Sequence, residues 1–320
     1  MPLRIIPPTG WPRLIDYDEA LRYAAVQGAD VISNSWGFGA DPNSDCEPIH
    51  SAIRDITRLG GIGRNGKGCV VFFASGNTDI ENPEGKAAYP VEPVVYPARY
   101  PEVIAVGAIG QSDKVWYYSA RGPKLDVVAP SGDLWTTDIT GKDGYDNRPP
   151  NRIDYTDKMS GTSGACAIAA GVAALILSID PNLATIEVQQ ILLHSARHVG
   201  TSGWSYHYGF GCEDFCETAN MTKTPPEFTL YVDDNASGDP GPGDPGSSDP
   251  NEDGSSKHPF DAIQEAIDNA VSGDTVVVRS GTYSGNGNHD IDFKGKPITL
   301  LGEGPESCVI DCQKPSSYCS

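Results

Sequence analysis

The sequence predicts an α/β domain, a mostly parallel sheet with helices on both faces, followed by a smaller unit of stacked parallel strands. Three observations carry this. Fully apolar runs of strand length, CVVFFA at 69–74 and VIAVGAI at 103–109, alternate with stretches of helical periodicity, the pattern of strands covered on both faces. The stretch 159–179, MSGTSGACAIAAGVAALILSI, has almost no charge and reads as a core helix buried on all sides. Between residues 233 and 256 the chain is Asp, Gly, Pro and Ser with no apolar pattern, a linker composition that separates two domains.

In chain order, residues 1–6 read as a short strand stopped by Pro7-Pro8, and 16–28 as a helix with Leu21, Ala24, Ala25 and Gly28 on one face. A strand at 29–33 leads into Asn34-Ser35-Trp36-Gly37. Ile49, Ile53 and Ile56 recur at helical spacing, and Gly60-Gly61 ends that helix. The strand at 69–74 breaks at Ser75-Gly76-Asn77, and a Pro- and Glu-rich loop precedes the strand at 103–109. Residues 115–119 and 125–129 are further strand candidates, and 140–157 a polar, Pro-rich surface loop. The core helix ends near Asp180-Pro181, a helix follows at 186–196, and 203–211 closes the domain. The expected boundaries are 1–222 for this domain, 223–257 for an acidic spacer and 258–320 for the second domain. There, 259–270 is amphipathic (Phe260, Ile263, Ala266, Ile267), and 275–279, 298–301 and 309–311 are strand-like. Residues 275–298 have the length of about one solenoid turn, with Gly281-Thr282-Tyr283 as a corner. Solenoids need about three repeats, so the chain is expected to stop inside this domain.

Composition narrows the function. With 23 basic and 43 acidic residues the net charge is −20, which excludes nucleic acid as the expected partner. The eight cysteines (46, 69, 166, 212, 216, 308, 312 and 319) contain no CxxC pair, so no zinc site or other metal site is expected. Cys212 and Cys216 could pair locally, while Cys69 and Cys166 lie in apolar runs as core thiols. The start MPLRIIPPTG lacks the apolar core of a signal peptide. Stretch 159–179 is short and Ala/Gly-rich at its start, so no membrane span is expected.

Three segments carry the chemistry. Gly161-Thr162-Ser163 opens the core helix, where free N–H groups and the positive dipole end favour an anion. Ser163 reads either as a nucleophile or as part of a Ser/Thr cap. Ala74-Ser75-Gly76-Asn77 ends a buried strand with an amide donor, and Ser33-Asn34-Ser35-Trp36-Gly37 ends another. In a parallel sheet these ends share one rim, which would bring Asn77 to Ser163. The Asn77 amide would then donate to a developing oxyanion, worth roughly 3–4 kcal/mol. Ser35-Trp36-Gly37 would offer backbone to an extended substrate.

The stretches ADVISNSWG, GKGCVVFFASGN, YPARYPEVIAVGAI, YYSARGPKLDVVAP, SGTSGACAIAAGVAALIL and WSYHYGFG together resemble the subtilisin-like serine proteases (subtilases, peptidase S8). The wording ISNSWG and FFASGN is similar to the kexin/furin-like branch. The resemblance implies a secreted or cell-surface endopeptidase acting on polypeptides, with no required cofactor and with structural calcium compatible. It also implies Ser163 as nucleophile, Asn77 as oxyanion donor, and Ser35, Trp36, Gly37, Ala74, Ser75 and Gly76 flanking the cleft.

The departures matter as much. The family's catalytic Asp sits in Asp-Ser/Thr-Gly and its His in His-Gly-Thr. Neither Asp triplet occurs here, and none of the six His precedes Gly. The chain therefore reads as lacking the family's N-terminal part, with MPLRII resembling a strand internal to it. His50 is expected on a solvated helix face, and His194, His198 and His207 as structural. Ala167 stands where the family has Pro, and Phe38-Gly39-Ala40-Asp41 keeps only part of the acidic stretch of the branch that cleaves after basic residues. A serine without a base is a weak nucleophile, so the chain alone is expected to be inactive.

The acidic spacer has no EF-hand spacing. The segment from YVDDNASGDPG through CVIDC resembles the capped start of a right-handed parallel β-helix, as in pectate-lyase-like surface proteins. That resemblance implies polysaccharide or a cell surface as a partner, although no paired carboxylates are present for cleavage. The alternatives are a protease fragment, a non-catalytic adhesion protein with a degenerate protease domain, and a polysaccharide-active protein with a vestigial one.

Overall fold

The structure, a computed structural model, describes residues 2–3, 5, 13–39, 46–77, 94–141, 144–146, 154–199, 204–223, 229–233, 254, 256, 259–271, 273–304 and 307–311. The chain divides into two compact units, residues 1–201 with 205–224, and residues 202–204 with 225–320.

The first unit runs α1 (Leu14–Val26), β1 (Val31–Asn34), α2 (Glu47–Thr57), β2 (Val70–Ala74), β3 (Ile104–Ile109), β4 (Val127–Pro130), β5 (Leu134–Thr137), β6 (Tyr155–Met159), α3 (Gly161–Ile179), α4 (Thr185–His194) and α5 (Phe215–Lys223). Strands β1-β2-β3-β4 form one sheet in that order, every pair parallel. Successive strand residues point to opposite faces, and β2 is buried along its whole length. On one face Val71 and Phe73 join Leu21 and Ala25 of α1 and Ile49, Ile53 and Ile56 of α2 in a single core. On the other, α3 lies across all four strands. Small side chains let it approach: Gly164, Ala165, Cys166, Ala169, Ala170 and Ala173 are all buried.

α3 is not buried on all sides, however. Ala167, Gly171, Ala174 and Leu175 are exposed, Leu175 at 44%. The helix covers the sheet as an outer layer, so one face stays outward. It is long and apolar enough to cross a membrane, but its inner face is occupied by the sheet.

Other expectations shift too. Residues 115–119 form no strand but a turn, with single bridges from Val115 to Ile109 and from Ser119 to Asn77. The surface loop expected at 140–157 yields at its end to β6, which pairs antiparallel with β5. Its sequence YTDKM is too polar to announce itself. Helix α5 lies beyond the expected end of regular structure at residue 211. Cys212 is a free, buried thiol, so no bond to Cys216 forms, and Cys46, Cys69 and Cys166 are likewise free and buried. Of the strand expected at 1–6, only Pro2, Leu3 and Ile5 are described, and none lies in a strand. Cys312, Cys319 and most of the spacer lie outside the described residues.

The second unit contains β7 (Thr229–Val232), α6 (Ile263–Asn269), β8 (Thr275–Val278), β9 (Gly281–Ser284), β10 (Thr299–Gly302) and β11 (Cys308–Asp311). β8 sits between β7 and β10, parallel to both, with Leu230, Val276 and Leu300 in one row. β9 pairs in parallel with β11. Two details differ from expectation: β7 falls within the stretch read as spacer, and Gly281-Thr282-Tyr283 is strand rather than corner. Ile263, Ala266 and Ile267 of α6 pack with Val232, Val276, Val278 and Tyr283. Lys296 closes the C-terminal end of α6, its Nζ donating to the carbonyls of Ile267, Asp268 and Ala270 at 2.8–2.9 Å. A cation is favoured at that end of a helix.

Candidate active site

The first turn of α3 has no cap of its own. Its N-cap, Ser160, makes no side-chain capping bond, so the leading N–H groups, which have no intrahelical acceptor, must look elsewhere. Gly161 N–H donates to the Tyr118 hydroxyl at 3.2 Å, and Thr162 N–H donates to Asn77 Oδ1 at 2.9 Å. The Thr162 hydroxyl donates to the same Oδ1 at 3.0 Å and accepts from Gly76 N–H at 3.3 Å. From the other side, Ser131 Oγ donates to the Gly161 carbonyl at 2.7 Å. The loop end of β2 is thereby pinned to the turn that presents Ser163.

A backbone N–H can only donate, so the Asn77 atom facing Thr162 is its oxygen. That fixes Nδ2 as the remaining donor, beside Gly161, where a Cβ would lie 3.1 Å from it. Gly161 has φ of +81°, a conformation that favours glycine. Ser163 is half-buried, and its hydroxyl has no hydrogen-bond partner among the described residues. Its N–H, third in the helix, has no carbonyl of the helix to donate to. The turn thus carries a free hydroxyl and an amide N–H at Ser163, with the Asn77 carboxamide nitrogen beside Gly161.

The segments at 33–37 and 74–76 meet the same turn. Ser35 Oγ donates to the Ser163 carbonyl at 3.2 Å, and the Cys166 thiol to the Asn34 carbonyl at 3.6 Å. Burial pushes the Cys166 thiol up to about 11, so it stays protonated and does not compete with Ser163 as a nucleophile. Ser35 and Gly37 are exposed. Trp36 instead turns its ring inward against Tyr17, Phe38 and Phe73, with centroids 4.5–5.7 Å away. Ser75 is fully buried, and its groups are committed: N–H to Val106, carbonyl to Val95 N–H, and hydroxyl to Ala120. Ala74 and Ser75 are therefore buried and do not flank an open surface as expected, while Gly76 reaches the turn itself.

No histidine hydrogen-bonds to Ser163 among the described residues. His50 is not solvated as expected. It stacks on Tyr100 at 3.8 Å between centroids, and its Nε2 meets Glu102 at 3.0 Å. His207 is exposed, and burial of its ring edge followed by the nearby Arg121 charge hold it below the usual imidazole range. Thr162, Tyr118 and Ser131, which build the turn, were not singled out in the sequence. Only the position of Thr162 between Gly161 and Ser163 hinted at a role.

Comparison with known proteins identifies the family. The family described as the subtilase family, peptidase S8, matches residues 12–211. A calcium-dependent protease of Trichormus variabilis is 36% identical over 244 residues, covering 66% of this chain and 34% of the relative. A thermophilic serine proteinase of Bacillus sp. strain AK1 is 34% identical over 209 residues, covering 65% and 42%. The crystal structure of MycP1 from Mycobacterium smegmatis aligns with a TM-score of 0.49 at 25% identity, covering 64% of this chain and 54% of that one. The chain spans between a third and a half of the length of these curated relatives.

Proposed function

Because this chain belongs to the subtilase family, we propose that it carries the nucleophile and oxyanion side of a serine endopeptidase site that acts on polypeptides. The observation that supports the reading is the Gly76–Thr162–Asn77 hydrogen-bond chain, which ties the Asn77 carboxamide to the helix turn that bears Ser163. In this reading Ser163 Oγ attacks a peptide carbonyl, and the oxygen that becomes negative is met by Asn77 Nδ2 and the Ser163 N–H at the positive end of α3. In this reading Ser35 and Gly37 line one side of the cleft and Gly76 the other, with Trp36, Ala74 and Ser75 packed behind them.

Among the described residues the serine has no partner to take its proton, and neither Asp-Ser/Thr-Gly nor His-Gly occurs in the sequence. In subtilisin, a protein of this same family, loss of the histidine alone costs on the order of 10⁶ in turnover, leaving about 10³–10⁴ over water. The chain by itself is then inactive for practical purposes. A fluorophosphonate probe tests both halves of the reading. Labelling should be confined to Ser163, abolished in Ser163→Ala, and at least about a thousandfold slower than for an intact subtilase. Labelling elsewhere refutes the nucleophile; labelling at the intact rate refutes the inactivity.

The kexin/furin-like branch rests on ISNSWG and FFASGN alone, and an extracellular or cell-surface location rests on the family. Calcium is named for relatives of this chain, and among the described residues no group of three or more His, Cys, Asp or Glu side chains could hold a metal. No step is assigned to it.

One observation favours a separate role for the second unit. The parallel rows β7-β8-β10 and β9-β11, with α6 beside them, support the start of a β-helix of the pectate-lyase-like kind, serving adhesion or spacing on a polysaccharide or cell surface. Retention of the chain on polygalacturonate or cellulose beads would support this, and elution in the void would refute a polysaccharide partner.

A further inference from the structure

The sheet of the first unit ends before the helices that cover it. β1 pairs with β2 and, among the described residues, with no strand on its other edge. Val70 N–H donates to the Asp30 carbonyl at 2.9 Å, which fixes the phase of the ladder. With Val31 opposite Val70 in parallel register, Asp30, Ile32 and Asn34 turn their backbone groups to β2. The N–H and C=O of Val31 and Ser33 therefore face the open edge. Beside that edge lies a cavity of about 850 Å³, lined by Val31 to Asn34, by Leu21 and Ala24 of α1, and by Ala174 and Leu177 of α3. Since α1 and α3 cover opposite faces of the sheet, the two helices reach past its last strand and enclose the place of a further one. Val31 and Ile32 are accordingly only half-buried, whereas β2 is buried throughout. Pro2, Leu3 and Ile5 line the same space without forming a strand in it.

A strand set at the usual spacing of about 4.8 Å from β1 would meet the unpaired groups of Val31 and Ser33 and be covered on both faces. Cover on both faces selects an unbroken apolar run. The runs of that kind at 69–74, 103–109 and 275–278 are already β2, β3 and β8, which also removes a second copy of this chain as the donor. Stretches outside the described residues supply none. Residues 6–12, 78–93, 147–153 and 224–228 are interrupted by proline, and 40–45, 234–253 and 312–320 are mostly polar. Proline has no N–H to give a ladder. We infer that the open edge of β1 is an acceptor site for one extended, apolar segment of a second polypeptide, added as a fifth strand between α1 and α3. Backbone hydrogen bonds supply the affinity in such additions, and the apolar walls select the side chains.

The probe is acetyl-Gly-Val-Val-Ile-Val-Ala-Gly with a fluorescein-bearing lysine at its C-terminus, titrated into the full chain and followed by anisotropy. A second probe has the same side chains with N-methyl groups on every central residue, so its apolar surface remains while its ladder donors are gone. The first should bind saturably, and the second at least about tenfold more weakly. Ala174 is exposed and Ala20, on α1, is half-buried; both line the cavity, and Glu is a good helix former. Ala174→Glu and Ala20→Glu therefore put a charge into either wall of a folded chain, which circular dichroism confirms, and each should weaken the first probe at least about tenfold. Absence of binding to the folded wild type overturns the inference. Equal binding of the two probes also overturns it, leaving an apolar ligand pocket in place of a strand acceptor. Binding unchanged in both Glu variants puts the peptide elsewhere and overturns it as well.

Discussion

Asn77 clamps the helix turn and, in the proposed reaction, donates to the oxyanion, and one pair of substitutions divides the two roles. Its oxygen accepts from the Thr162 N–H and hydroxyl at 2.9 and 3.0 Å, and Thr162 is fully buried. Asn77→Ala strands a buried backbone N–H, costing about 1–3 kcal/mol, and loses the hydroxyl bond, about 0.5–1.5 kcal/mol. The sum is about 1.5–4.5 kcal/mol. Asn77→Asp keeps an acceptor in the same place and adds a negative charge at the N-terminal end of α3, worth about 0.3–1 kcal/mol in favour of folding. Urea unfolding with linear extrapolation should therefore find Asn77→Ala strongly destabilised and Asn77→Asp at or above the wild type. Both variants lack the Nδ2 donor, so both lose about 3–4 kcal/mol of transition-state stabilisation in any reaction at Ser163. Equal unfolding free energies for the two variants, within about 0.5 kcal/mol, would refute the claim that the oxygen clamps the helix.

Three further outcomes follow from buried polar groups. Burial pushes the Glu213 carboxyl well above its ordinary value of 4.5, and neither oxygen has a hydrogen-bond partner among the described residues. Between the unfolded and folded values the folded chain keeps a proton that the unfolded chain has released, so stability falls as pH rises from about 4.5. Glu213→Gln should match the wild type near pH 4 and exceed it by about 1–3 kcal/mol near pH 8 in chemical unfolding; an equal offset at both would exclude titration as the cause. Lys296→Met should destabilise the second unit by about 2 kcal/mol through loss of charged bonds to the end of α6, seen as faster amide exchange at residues 263–270. Arg64 donates to the carbonyls of Gly68, Pro181 and Leu183 from a nearly sealed site, with its side chain 3% exposed. Arg64→Met should cost about 3 kcal/mol, and a thermal midpoint unchanged from the wild type would contradict that role.

How much of this was legible follows from where the information lies. β2 and β3 announce themselves because burial on both faces demands unbroken apolar runs, and CVVFFA and VIAVGAI supply them; α3 announces itself by the long uncharged Ala-rich stretch after Ser163, although one of its faces stays exposed. β6 and α5 carry YTDKM and FCETANMTK, whose half-exposed faces allow too few apolar residues to show a period. The convergence of Ser163, Asn77 and Ser35 was readable because parallel strands put their ends on one rim. The agents that fasten it were not. Tyr118 and Ser131 act through a single hydroxyl each, and nothing local distinguishes such a hydroxyl from a solvated one. His50 illustrates the same limit: its partners, Tyr100 and Glu102, lie fifty or more positions away, a pairing that α2's own periodicity does not encode.

The borrowed capping of α3 bears on the order in which the molecule forms. The hydrogen bonds that fix its first turn close over 85, 43 and 30 residues of chain, and closures of that span come after local structure. The apolar body of the helix can form early and dock on the sheet, while the residues around Ser163 wait for β2, the turn at 118 and the strand end at 131 to arrive. Reactivity at that serine is therefore a late product of assembly. A slow-reacting probe at Ser163 would report the completion of folding, and strain anywhere along those three tethers would be felt at the serine before the fold as a whole gives way.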